Sequence, residues 1–85
     1  MSTPSEILLR AAEVLERDGW TQGASTCGRK RCAMTAIGDA DGRIEERERL
    51  RAVIGSNSIV DWNDAPGRTA SEVIAAMREA ARHGL

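Results

Sequence analysis

The sequence predicts a small all-α domain of about four helices, occupying residues 1–85 as a single unit. Two observations carry this. Thr3 with Glu6, and Thr69 with Glu72, stand three residues apart ahead of apolar stretches. That is the capping-box pattern, in which each side chain satisfies an orphan amide of a helix's first turn. The apolar residues that follow recur at helical spacing, and no stretch shows the alternation of a half-buried strand.

The first helix spans residues 3–18. Pro4 falls at the first helical position, where its missing amide is harmless. Ile7, Leu8, Ala11, Ala12, Val14 and Leu15 form the apolar face, and Gly19 is the stop. Trp20 follows and is expected to fold back on this helix. Residues 21–31 read as a loop, because Gly23, Ser25, Thr26 and Gly28 break any periodicity. A short helix over 32–38 carries Ala33, Ala36 and Ile37, and Gly38 to Gly42 form a turn.

The third helix spans 43–54. Its first half is nearly all charge, from Arg43 to Arg49, with pairs such as Glu45 and Arg49 four apart. Leu50, Val53 and Ile54 anchor the second half, so the first half is expected to project as a solvated surface. Ser58 caps a further short turn carrying Ile59, Val60 and Trp62. Pro66-Gly67 fixes the turn into the last helix, where Val73, Ile74, Met77, Ala80 and Ala81 share one stripe.

Composition bounds the function. There is no Phe or Tyr, so Trp20 and Trp62 are the expected large pieces of a thin core, and Trp62 should be largely buried beside the last helix. Such a core leaves room for a dimer or another partner to complete it. Net charge is −1, which argues against a dedicated nucleic-acid or anionic-membrane binder. No apolar run is long enough to span a bilayer or to form an export signal. The two cysteines therefore read as reduced thiols of a cytoplasmic protein. Lys30 is the only lysine, and abundant Arg, Ala and Gly fit a high-GC coding bias.

Three stretches carry a resemblance: Gly19-Trp20-Thr21-Gln22-Gly23, Arg31-Cys32-Ala33 with the residues to Ile37, and Trp62-Asn63-Asp64 through Gly67-Arg68-Thr69 to Val73. In this order the chain resembles a family of small uncharacterised proteins of actinobacteria and their phages, a domain of unknown function. The resemblance covers most of the chain. It departs at Thr35, where many members carry glycine, and in lacking a second cysteine beside Cys32. It implies the helical architecture and the source, and no activity.

Candidate chemistry is sparse. Asp39-Ala40-Asp41-Gly42, with an isoleucine two positions on and Glu48 closing, repeats the second half of a calcium loop. Asp39, Asp41 and Glu48 are thus the candidate ligands of a divalent-cation alternative, but the first ligand position falls on Ile37, which has no side-chain oxygen. The competing explanation is a turn that caps the third helix with acids near its positive end. Cys32 lies near a helix start and a basic run, yet the one histidine, His83, sits at the chain end, so no base is at hand. A zinc site lacks ligands and CxxC spacing. Cys27 therefore reads as a loop thiol and Cys32 as a small buried residue. Arg29-Lys30-Arg31 alone is too small a footprint for phosphate, which leaves a nucleic-acid-associated regulator as the third class. Asn63-Asp64 is expected to bond the turn backbone.

No nucleophile, base and oxyanion site assemble, and no cofactor loop is present, so the expected role is a non-catalytic protein-interaction module without cofactors. Its partner is a host protein or a second copy. The expected contact residues are Ile44, Arg47 and Arg51. At about 100° per residue Ile44 lies opposite Val53, so it cannot share the core stripe. It either meets a partner or pins the Asp39–Gly42 turn to its own helix.

Overall fold

Helix α1, Pro4–Asp18, starts where its cap places it. The Thr3 hydroxyl accepts from the Glu6 amide at 3.2 Å and donates to the Glu6 carboxylate. Gly19 ends it with φ of 96°, a conformation L side chains rarely adopt. The last helix, α5 (Ala70–Arg82), has the full reciprocal box. The Thr69 hydroxyl accepts from the Glu72 amide, and the Glu72 carboxylate accepts from the Thr69 amide, both at 3.2 Å. The computed structural model describes residues 2–24 and 26–82, so His83 lies outside the described residues.

Three further helices lie between these two. They are α2 (Ala33–Asp39), α3 (Ile44–Ile54) and α4 (Ile59–Asn63). The described residues are therefore mostly helical, as expected, with five helices among them rather than about four, because Ser58 caps a true helix at Ile59 by accepting from the Asp61 amide at 3.1 Å. Residues 21–31 are not wholly loop. Strands β1 (Thr26–Cys27) and β2 (Lys30–Arg31) pair antiparallel across Gly28, whose φ is 62°. The chain leaving α1 runs beside β2. Arg31 donates its amide to the Gly19 carbonyl, and Thr21 donates to the Arg31 carbonyl, both at 3.0 Å. Two-residue strands are too short to show alternation, which is why periodicity misses them.

Helix α1 makes its broadest contact with α5 and also lies on α2, while α3 lies on α5. Ile7, Leu8, Ala11, Ala12 and Leu15 of α1 are buried together with Ala33, Ala36, Ile37, Leu50, Ile59, Val73, Met77, Ala80 and Ala81. Alanines at so many of these positions let the helices approach closely, and the large aliphatics fill what remains. Each fully buried aliphatic side chain contributes about 1.5–3 kcal/mol. The Ser5 hydroxyl donates to the Ala81 carbonyl at 2.6 Å, and Arg78 pairs with Glu16, so polar bonds also join α1 to α5.

Two expectations about burial need correction. Trp20 and Trp62 are half-buried and lie against the core rather than forming it. The first half of α3 is not wholly solvated, because Glu46 is 4% exposed. Its carboxylate accepts the Arg43 amide at 3.0 Å and so caps its own helix, the condition under which a carboxylate tolerates burial.

Candidate interaction surface

The three family-like stretches meet at one side chain. Asn63, at the end of α4, is 1% exposed. Its Oδ1 accepts from the Trp20 indole Nε1 at 2.6 Å and from the Ala33 amide at 3.0 Å. Its Nδ2 donates to the Thr21 carbonyl and to Asp64 Oδ1, each at 3.0 Å. Both lone pairs and both protons are used, as a buried amide requires. One residue thus fixes the exit of α1, the first turn of α2 and the end of α4. Gln22 Nε2 adds bonds to the carbonyls of Asn63 at 3.0 Å and Ala65 at 2.9 Å. Asn63 and Asp64 do bond backbone, but mainly that of distant segments rather than their own turn. This constellation is architecture: every polar group of the buried Asn63 side chain is occupied.

Asp64 also accepts the Gly23 amide at 2.9 Å. That bond first, and the Asn63 amide second, hold its carboxyl below the usual carboxylate range. Because the folded value is the lower one, the contribution is complete above about pH 4 and is lost as pH falls through the folded value. The melting temperature of the wild type should therefore fall more steeply on acidification below about pH 4 than that of Asp64→Asn, which keeps an acceptor oxygen and cannot titrate. Parallel curves would show that the carboxylate's bonds carry no stability.

The indole of Trp62 is covered from one side by Arg68. The guanidinium lies 4.1 Å from the ring centroid, its Nε donates to the Trp62 carbonyl at 3.0 Å, and it pairs with Glu72 at 2.9 Å. The Arg68 bond, first among several, keeps the Glu72 carboxyl below its usual range. The rest of Trp62 lines a groove with Val53, Ile54, Ala75 and Ala76.

The candidate cation ligands are arranged as a turn. Asp39 is the last residue of α2, and its carboxylate accepts from Arg31 Nε at 2.6 Å. Asp41 has φ of 66°, the left-handed conformation that Asp tolerates. Glu48 is exposed on α3. Among the described residues no three His, Cys, Asp or Glu side chains are grouped to hold a metal ion.

Cys32 is the N-cap of α2, where its Sγ accepts from the Thr35 amide at 3.4 Å, and it is buried; Cys27 is exposed in the hairpin. Cys27 is paired with Lys30, two residues before Cys32, so the two cysteines are not cross-strand partners, and both are free thiols. Alkylation of the native protein should modify Cys27 about tenfold or more faster than Cys32. Equal protection of both, abolished by a reductant, would reveal a bridge instead.

Among the expected contact residues, Ile44 is 68% exposed, so it does not pin the turn beneath it. That place is taken by Ile37, which packs against Gly42. Arg47 and Arg51 follow on the same side of α3 at helical spacing and are half-buried. Among the described residues, neither forms an ion pair, and the Nε of each is buried without a hydrogen-bond partner. Arg49, on the other side, is paired with Glu45 at 2.9 Å.

The model of a family of unknown function, DUF6197, matches residues 1–83, and the chain belongs to that family. No curated protein and no solved structure matches the chain. Among the described residues, no helix is long and apolar enough to cross a membrane.

Proposed function

We propose that this chain is a non-catalytic protein-interaction module that engages its partner through the outer side of α3, with Ile44, Arg47 and Arg51 as contacts. One observation carries this reading: a 68% exposed isoleucine stands beside two arginines that have no ion-pair partner among the described residues. A large exposed apolar side chain flanked by arginines is the composition of interface anchors, where Arg is enriched and rim charges set the partner. In this reading the protein acts in the cytoplasm of an actinobacterium, as an accessory or phage-encoded protein, on a host protein or a second copy.

A photo-crosslinking residue at position 44 tests it. In an actinobacterial lysate it should give one discrete protein adduct, while the same residue at exposed Ser71 on α5 gives none. With the crosslinking residue moved to exposed Glu48, one turn further along α3, Ile44→Glu should remove the adduct and leave the helical content and melting temperature unchanged. Equal labelling from both positions, or unfolding of Ile44→Glu, would overturn the assignment of this face. Sedimentation of the purified chain separates a self partner from a foreign one.

A further inference from the structure

Resting on α3 as the interface, we propose that the partner presents an acidic protein segment, whose carboxylates pair with an arginine ladder made of Arg43, Arg47 and Arg51. The three arginines are four residues apart, so they are neighbours along one side of the helix. The residues three and four positions from Arg47 are Arg43, Ile44, Leu50 and Arg51, and none is acidic. The helix thus places like charges where opposite charges would support it. The acids that could relieve this are otherwise engaged or elsewhere: Glu45 holds Arg49, and Glu46 is buried on the Arg43 backbone amide. Glu48 lies within helical reach of Arg51 but makes no ion pair with it.

The second observation is how Arg47 and Arg51 are held: the Nε of each is covered by the protein, while their terminal nitrogens carry no hydrogen bond among the described residues. An incoming carboxylate meets those terminal nitrogens, and the planar guanidinium takes both of its oxygens at once. Ile44, three residues before Arg47, gives the same segment an apolar seat. A segment with two or three carboxylates around an aliphatic residue therefore complements the face in both charge and polarity.

A protein segment fits better than nucleic acid. The net charge is −1, and exposed Glu45 and Glu48 interrupt the ladder's surroundings on the same helix. A continuous phosphate backbone would run against them, whereas a short segment can place its acids on the arginines alone. The other basic run, Arg29 to Arg31, lies on the hairpin, where Arg31 is already held by Asp39.

The probe is a short labelled peptide of glutamates spaced four apart around leucines, followed by fluorescence anisotropy. Its glutamine counterpart, inorganic phosphate and a short DNA duplex serve as comparisons. The glutamate peptide should bind about tenfold or more tightly than the glutamine peptide, with phosphate a weak competitor. Arg47→Gln with Arg51→Gln should weaken it about tenfold while the melting temperature holds or rises. Arg47→Lys with Arg51→Lys keeps the charge and loses the fork, so it should recover only part of the binding. If the glutamine variants fail to fold, the lysine variants decide: binding equal to wild type overturns the ladder. Equal affinity for the two peptides, or tighter binding of the duplex, also overturns it. A discrete adduct at position 44 alongside failure of the acidic peptide would leave the interface standing and remove only its acidic partner.

Discussion

Asn63→Ala should destabilise the protein by roughly 3–5 kcal/mol, since each buried polar group left unpaired costs about 1–3 kcal/mol. The truncation strips the acceptor from the Trp20 indole and the Ala33 amide, and the donor from the Thr21 carbonyl. All three belong to segments more than 29 residues away in the chain, so no local rearrangement can replace Asn63. A domain of this size has roughly 5–15 kcal/mol in total, so this one amide decides whether the fold survives warming. Urea denaturation should show a lowered midpoint with an unchanged slope. Asn63→Asp keeps both acceptor roles, loses the two donors and sets a second carboxylate beside Asp64. Its loss should be smaller at low pH, where the protonated acid regains one donor. A midpoint for Asn63→Ala close to that of wild type would show that the loops are held by packing alone.

What could be read from the sequence was what is local. The caps at Thr3 and Thr69, the stop at Gly19 and the stripes of α1 and α5 each depend on residues a few positions apart, and each stands as expected. Features set by distant pairings stayed hidden. The hairpin exists because Arg31 runs beside Gly19 and Thr21. Glu46 is buried although its helix half is charged, because its acceptor role lies on the inner side. The tryptophans misled because size alone suggested burial, while the indole N–H of Trp20 seeks Asn63 and the face of Trp62 is covered by Arg68. The signal for Asn63 was present in another form: the three stretches that carry the family likeness are the three it joins. For the α3 face, helical spacing separated Ile44 from the core correctly. That Arg47 and Arg51 have no ion pair among the described residues needed the folded chain, since Glu48 lies within sequence reach of Arg51.

Gly42→Ala should cost roughly 2–3 kcal/mol, in the range of core overpacking. A Cβ at Gly42 would lie 2.2 Å from Ile37 Cγ2 and 2.7 Å from the Ile37 carbonyl oxygen. Neither neighbour can step aside. Ile37 is 0% exposed in the core, and its carbonyl accepts the Gly42 amide at 2.7 Å and the Ala40 amide at 3.2 Å. Here the physical account of the Asp-x-Asp-Gly pattern parts from the cation account. In the turn, Asp41 supplies the left-handed residue and Gly42 the close approach that reverses the chain from α2 into α3. The loss should therefore be the same with a chelator or with added calcium, and a loss that calcium restores would reassign the turn to a cation. A double-mutant cycle locates the strain. In an Ile37→Ala background Gly42→Ala should cost less, because Cγ2 is gone. It should not become neutral, because the carbonyl oxygen remains at 2.7 Å. Strict additivity of the two substitutions would mean that Gly42 is needed for some reason other than its contact with the Ile37 side chain.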